Sequence, residues 1–393
     1  MGAPEPMRIL CVNAGSSSLK VSVRRHDRDQ ALLSGAVEGI GESGARLRLR
    51  TADGSVLLDE PHDVADHGRA TELALDALDR VSAPAVASAG HRIVQGGRRL
   101  TAPARVDETL LETLREMIDL APLHLPAQIA AIEVVAARTP ALPQVVCFDT
   151  AFHRGMPEIA QRFPLPEWAW EDGICRFGFH GLSYEHVVDI LGPASGRVVM
   201  AHLGNGASMA AAHDGVPVDT TMAFTPAAGI MMGTRTGDLD PGVLVHLLRQ
   251  RGMGADELDR LVNIESGLVG VSGTTPDMRE LIAARAVDPR AALAVDMFCR
   301  SSRKAIGALA TVLGGLDQLV FTGGIGEGAP VIREEICRGL EHLGVQLDSN
   351  ANANGGAVVS MAGSPCAVRV IPTGEDVVIA RHTEAIVHSA RRP

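Results

Sequence analysis

Short apolar runs, broken by glycine and serine, set the pattern of the first fifty positions. Arg8–Asn13 is predicted as a strand built on Ile9–Val12, and it runs into NAGSSS (Asn13–Ser18). Leu19–Val23 then alternates apolar and polar residues, as a half-buried strand does, and Leu32–Val37 and Ala45–Arg50 read as further antiparallel strands. Helical spacing follows at Thr71–Val81. Ala85–Val94 is strand-like and ends in GHRIVQGG (Gly90–Gly97). Asp107–Leu120 is an amphipathic helix with an acidic first turn, and Pro126–Arg138 is a helix with proline near its start. Gln144–Phe148 is an apolar strand that stops at Asp149.

The second half repeats the theme. Tyr184–Leu191 is helical, and Arg197–His202 and Ala207–His213 form two strands joined by a turn at Gly204–Gly206. Residues 221–240 are rich in Gly, Met and Thr and read as a functional loop. Helices are predicted at Pro241–Arg251, Ala291–Leu313 and Pro330–Leu343. Leu316–Gly324 reads as strand and turn, and Asn350–Gly356 as a polar turn. Cys366–Ile371 is predicted as a strand and Asp376–Ser389 as a final helix. The chain thus reads as two α/β halves, each opening with a hairpin around a glycine- and serine-rich turn.

Three such turns, NAGSSS, LGNGAS (Leu203–Ser208) and TGGIGE (Thr322–Glu327), each follow an apolar run. Without bulky side chains, backbone N–H groups there can turn toward an anion. Three separated turns point to one nucleotide gripped from several directions. Length favours two domains, since 393 residues is long for a single core. A net charge of −11 argues against non-specific nucleic-acid binding. No apolar stretch reaches the ~20 residues of a membrane span, and the N-terminal MGAPEPMRIL has no signal-peptide core. The six cysteines form no C-x-x-C pair, which reads as buried thiols in a reducing compartment. The expected location is cytoplasmic.

Several side chains carry candidate chemistry beside plainer structural readings. Arg92 is either an arginine at a strand end, solvated or salt-bridged, or, with Gly96 and Gly97 close by, a cation held near a ligand. Asp149 is either a cap or a carboxylate facing the crevice of an open sheet. His180, between Phe179 and Gly181, is either a hydrogen-bonded core histidine or a ring presented to a ligand. Arg235, in MGTRTGDLDP, is flanked by Gly233 and Gly237, which suits delivery of a planar cation to an oxyanion. Asp277 and Glu375 stand at helix starts and have the plainer reading of an acid in the first turn of a helix. The scattered His124, His153, His202 and His213 lack the spacing of a zinc site.

Taken together and in order, NAGSSSLK, GHRIVQGG, LAPLHLP, FDTAFH, RFGFHGLS, HLGNGAS, TPAAGIMMGTRTGDLDPG, TGGIGE and IPTGEDVVIARHT resemble the acetate kinase family across nearly the whole chain. The resemblance implies an actin-like (ribonuclease H-like) fold with two mixed α/β domains around a cleft. One domain is expected at 1–150 with the C-terminal helix at 377–393, the other at 151–376. It also implies ATP/ADP, Mg²⁺ (or Mn²⁺), a short-chain carboxylate substrate and a homodimer, with no nucleic-acid or membrane partner. By the same resemblance, Asn13 and Lys20 lie near the phosphates, with Asn13 and Glu375 serving the metal. Arg92 and Arg235 hold the carboxylate and the transferring phosphoryl group, Asp149 is the active-site acid, and His180 stabilises the transition state. His202, Leu203, Gly204, Asn205 and Gly206 line the phosphate channel. Asp277, Met278 and Arg279, with Gly324, Ile325, Gly326, Glu327 and Gly328, hold the nucleoside. Val94, Leu123, Phe179 and Pro226 form the small apolar pocket for the acid. The expected reaction is reversible transfer of the ATP γ-phosphoryl group to acetate. The alternatives are a propionate- or butyrate-preferring kinase, a pyrophosphate-using variant, and a weakened nucleotide-binding regulator.

The chain departs from the family pattern at several positions. Leu125 stands for the usual Asn, Leu182 and Tyr184 for Thr and His in HGTSH, and Gln95 for a His. Ala228 replaces a Glu, Gly328 an Asn, and the last motif reads TGED rather than TNEE. These changes bear on substrate preference, nucleotide preference and rate rather than on reaction class.

Overall fold

The computed structural model describes residues 7–25, 27, 30–42 and 44–389. The N-terminal stretch read above for a leader therefore lies partly outside the described residues, as does the end of the C-terminal segment. The chain divides into two compact units, Met1–Ala151 with Gly374–Pro393, and Phe152–Thr373.

The first unit is built on an eight-stranded sheet. Its strands are β1 (Arg8–Ala14), β2 (Ser18–Arg25), β3 (Leu33–Glu38), β4 (Ala45–Thr51), β5 (Val56–His62), β6 (Ser88–Ile93), β7 (Ala104–Arg105) and β8 (Gln144–Phe148). The order is β5-β4-β3-β2-β1-β6-β8-β7. β1 to β5 form an antiparallel meander, whereas β1, β6 and β8 run parallel. Alternation along β2 and β4 puts Leu19, Val21, Val23, Leu47 and Leu49 into one core with Leu73, Ala74 and Ala77 of the helix His67–Arg80. Asp66 caps that helix by accepting from the Arg69 N–H at 2.8 Å. The helix Glu375–Ser389 packs on β6, β8 and β1. It can approach because residue 90 is glycine: a Cβ there would run into Thr383 and Ile379.

The second unit repeats the plan with a five-stranded sheet. Its strands are β9 (Arg197–Leu203), β10 (Ala207–His213), β11 (Val216–Thr220), β12 (Gln318–Thr322) and β13 (Ala367–Val370), in the order β11-β10-β9-β12-β13. β9 to β11 are antiparallel, and β9, β12 and β13 are parallel. Tyr184 and Val187 of the helix Gly181–Leu191 pack with Val198, Met200, Ala210, Ala212 and Val320. In each unit, then, a hairpin feeds parallel strands, and a glycine-rich turn follows the first of them.

Several boundaries differ from the pattern-based expectation. The turn after β12 is a short helix, Gly323–Gly328, and the polar stretch near 350 is the helix Ser349–Ala353. The helix predicted at Asp107–Leu120 spans Glu108–Glu116 and continues as a 3₁₀ turn at Ile118–Leu120. Pro330–Leu343 likewise divides into Pro330–Cys337 and a 3₁₀ turn at Glu341–Leu343. Pro241–His246 is α-helical and closes in a π turn, Leu247–Arg251. The loop between β11 and Pro241 has neither helix nor strand, as its composition suggested.

Candidate active site

Candidate residues in the first unit gather at the C-terminal ends of its parallel strands, the usual ligand edge of such a sheet. Asn13 is near the end of β1, Arg92 is in β6, and Asp149 follows β8 directly. The Arg92 Nε and Nη2 groups both donate to Asp149 Oδ2, at 3.0 and 2.5 Å. Its Nη1 donates to Asn13 Oδ1 at 3.1 Å. Asn13 Nδ2 in turn donates to Glu375 Oε2 at 3.1 Å, and that carboxylate lies 3.8 Å from Arg92 Nε. Burial alone would weaken the Arg92 charge, but the carboxylates of Asp149 and Glu375 overturn that effect and push its pKa above the ordinary value. Asp149 is fully buried. Removing the guanidinium would strand a buried carboxylate, at a cost of ~3–5 kcal/mol.

Around this quartet, Lys20 is exposed on β2, opposite Asn13 across the hairpin. Val94 is buried and Leu123 is 41 % exposed. Gln128 ties the region together. Its Oε1 accepts from the Val94 N–H at 3.0 Å, and its Nε2 donates to the Ala14 carbonyl at 3.2 Å.

The second unit holds the other candidates. His180 caps the helix Gly181–Leu191 in the left-handed region, with φ at 57°. A residue bearing a Cβ pays ~1–2 kcal/mol there, and such strain concentrates at functional sites. The imidazole rings of His180 and His202 stack at 4.2 Å with 21° between their planes. A Cβ placed on Gly206 would lie 3.5 Å from both His180 Nε2 and Arg235 Nη1, so the two cation-capable groups converge on that backbone. Arg235 Nη1 also donates to the Pro226 carbonyl at 3.3 Å. The loop bearing Arg235 is clamped rather than loose: the Gly233 N–H donates to the Asn205 carbonyl at 2.9 Å, and a Cβ on Gly233 would collide with the Asn205 side chain. Leu203 and Phe179 are buried, and the Gly204 N–H donates to the Gly206 carbonyl at 3.1 Å.

The nucleoside candidates occupy helix starts. Asp277 caps Met278–Ala284 by accepting from the Arg279 N–H at 2.8 Å, and its carboxylate pairs with the Arg279 guanidinium at 2.5 Å. Met278 is buried and the Arg279 side chain is 89 % exposed. Gly324 and Gly328 face open space, while Gly326 is buried and Ile325 half-buried. Glu327 Oε1 accepts from the Gly323 N–H at 3.0 Å and the Thr373 N–H at 2.9 Å, so it braces the turn.

A sequence profile of the Acetokinase family matches residues 8–381. The chain belongs to the acetokinase family. It is 40 % identical to an acetate kinase of Clostridium botulinum, over 97 % of this chain and 99 % of the relative, and 42 % identical to an acetate kinase of Treponema denticola, over 97 % and 100 %. Among solved structures it superposes on Porphyromonas gingivalis acetate kinase with a TM-score of 0.86 and 36 % identity, covering 97 % of this chain and 100 % of that one. It superposes on a propionate kinase of Francisella tularensis with a TM-score of 0.90 and 33 % identity, covering 96 % and 99 %. The actin-like fold expected from the motifs is the fold of this family.

Most departures from the acetokinase pattern are buried. Gln95 accepts from the Gly97 N–H at 2.9 Å, Leu125 begins the helix Leu125–Arg138, and Leu182 and Tyr184 face the core. Ala228 is half-buried and Gly328 exposed. Sequence reasoning missed Gln128, Ser183, Ser208 and Arg333 as supports. Arg333 is buried and donates from Nη1 to the Gly326 and Glu327 carbonyls, each at 2.8 Å, behind the glycine-rich helix. Ser208 ends LGNGAS, and its place one strand across from His202 was the available signal. Nothing in the local sequence marked Gln128 or Arg333, which act from inside helices.

Proposed function

We propose that this acetokinase transfers the γ-phosphoryl group of ATP to acetate, reversibly and in line, giving acetyl phosphate and ADP. The observation that carries the reading is the convergence of His180 and Arg235 on the Gly206 backbone, in a chain alike over 97 % of its length to an acetate kinase. A carboxylate titrates near ~4 and is already an anionic nucleophile at neutral pH, so no base is needed to activate it. The difficulty is an anion approaching a polyanion, and fixed cations and N–H donors answer it.

In this reading Arg92 binds the carboxylate, oriented by Asp149 and Asn13, and Asp149 does not abstract a proton. Arg235 and His180 meet the transferring phosphoryl oxygens. Val94, Leu123, Phe179 and Pro226 receive the methyl group. Lys20 and His202–Gly206 lie along the phosphates. Asp277, Met278 and Arg279 hold the nucleoside with Gly324, Ile325, Gly326, Glu327 and Gly328.

Among the described residues no group of three His, Cys, Asp or Glu side chains is set to hold a metal alone. Asn13 and Glu375, with Asp149 behind them, offer the oxygen-only donors that suit Mg²⁺, which commonly takes one or two carboxylates plus substrate phosphates. Mg²⁺ bound there would supply charge neutralisation for the phosphates. Mn²⁺ fits the same donors.

A propionate-preferring activity is the second reading, favoured by the likeness to the Francisella propionate kinase. One methylene in an apolar pocket is worth only ~1–3 kcal/mol. A homodimer is part of the proposal. The helix Pro241–His246 and the turn after it bury no residue, yet Val243, Val245 and Leu248 are 38, 42 and 46 % exposed. Sedimentation returning a monomer at micromolar concentration would remove that part. The cytoplasmic assignment is supported by six buried cysteines, none of them in a disulfide.

The test incubates the protein with ATP, Mg²⁺ and, separately, acetate, propionate and butyrate, trapping acyl phosphate as the hydroxamate. Product with acetate is expected. No product with any acid sinks the reading, and a faster reaction with propionate replaces the substrate.

A further inference from the structure

Behind His180 lies a chain of hydroxyls. His180 Nδ1 is 2.8 Å from Ser208 Oγ, and Ser208 Oγ is 2.5 Å from the Tyr184 hydroxyl. All three residues are buried. Tyr184 lies four residues after His180, one helical turn on, so its side chain returns along the same side. Ser208 comes from β10, paired in register with His202 of β9. His202 covers one face of the His180 ring, and its own Nδ1 is held 2.9 Å from Ser183 Oγ. The imidazole is thus fixed at one edge and on one face, with Nε2 toward Gly206 beside Arg235.

The protons can be counted along this chain. A neutral imidazole carries one proton, on Nδ1 or on Nε2. With Nδ1 protonated, Nε2 would point a lone pair at the Gly206 niche and repel an anionic oxygen. With Nε2 protonated, Nδ1 must accept, and Ser208 spends its single proton there. Ser208 Oγ then accepts from the Tyr184 O–H, and the phenol, more acidic than an alkyl alcohol, suits the donor's end of a short bond.

We propose that Tyr184 and Ser208 are positioning residues that hold His180 in the Nε2–H form, aimed together with Arg235 at a phosphoryl oxygen. The position that carries histidine in the acetokinase pattern supplies the phenol here. That the niche takes an anion, and that the anion is a phosphoryl group, rests on the kinase reading above; the direction of the hydroxyl chain, set by the more acidic phenol, does not.

The test uses the full-length protein with ¹⁵N-labelled histidine, His180 being assigned by the signals missing in His180→Asn. In the unmutated protein the expected spectrum shows His180 with a protonated Nε2 and an accepting Nδ1. An Nδ1–H form there overturns the proposal with no variant needed. In Ser208→Ala the tautomer preference is expected to be lost and kcat to fall about tenfold or more, the scale of a misplaced fixed donor, with KM for both substrates within about twofold. Tyr184→Phe keeps the packing and is expected to fall less, and Ser208→Thr to restore both readouts. An unchanged His180 tautomer in Ser208→Ala sinks the relay. If no acyl phosphate forms but the spectra are as expected, the relay stands and the kinase reading falls.

Discussion

His91 and His153 are buried as neutral rings, one in each unit. Burial pushes the pKa of each down to about 4, and the hydrogen bonds to the Gln144 side chain and the Phe179 carbonyl offset this only in part. The unfolded chain takes up these protons near the ordinary 6.5, where the folded chain still refuses them. Their contribution is therefore complete above pH 6.5, is lost as pH falls toward 4, and levels off below. Each shift is worth on the order of 3 kcal/mol. Carboxylates held low by arginine, such as Asp317 at about 2, lose their contribution only in stronger acid, below this window. Urea unfolding is expected to show a marked loss of stability from pH 7.5 to 5, and His91→Gln is expected to flatten it. Equal stability of the unmutated protein at both pH values would contradict the burial of neutral rings. At this scale the sequence was mute: neither histidine could be told from a site histidine until its partners were visible. Arg92 and Asp149 were equally ambiguous apart and became a pair only when β6 and β8 lay side by side.

The strand Ala45–Thr51 was legible because it buries one face and its period is set by the pleat, whereas Gln144–Phe148 and Ala207–His213 are buried on both faces and were legible as largely apolar runs. β5 was not, because it is an edge strand with no buried residue, and β11 carries Pro217 in a run of five. The helices Gly267–Ser272 and Gly323–Gly328 contradict glycine's poor propensity, and packing decides them. A Cβ on Gly267 or Gly323 would meet backbone of Met232 or Leu203, so these glycines serve close approach. Gly206 is a different case. Its φ is not in the left-handed region, and an added methyl would rest at ordinary contact distance from His180 and Arg235. Gly206→Ala is therefore expected to keep the melting temperature within a few degrees while filling the space where a phosphoryl oxygen would sit. Nucleotide affinity and turnover should fall together, by about tenfold or more in turnover, measured by calorimetric titration and the hydroxamate assay. Unaltered turnover in a folded Gly206→Ala would move the phosphoryl site elsewhere.

Across the whole molecule, the proposed chemistry is divided between two units with separate sheets and cores. Arg92, Asn13, Asp149 and Glu375 belong to one, and His180, Gly206 and Arg235 to the other. This division makes stability and catalysis combine differently. Arg92→Lys keeps a cation beside Asp149 but loses the fork that grips it, and so strains only the first unit. Arg235→Ala removes a half-buried group that donates to a carbonyl in the second, worth ~1 kcal/mol. Side chains anchored in separate cores should perturb unfolding free energy additively, within ~0.5 kcal/mol. Turnover should not behave so. If both guanidinium groups act on the same in-line transfer, the first loss already dismantles the arrangement, and the second removes little that still works. Each single variant is expected to lose about a hundredfold or more in kcat, and the double variant not much beyond the worse single one. Losses that multiply in the double variant would mean that the two arginines serve separate steps, and the shared-transfer mechanism would have to be abandoned even if acetyl phosphate were the product.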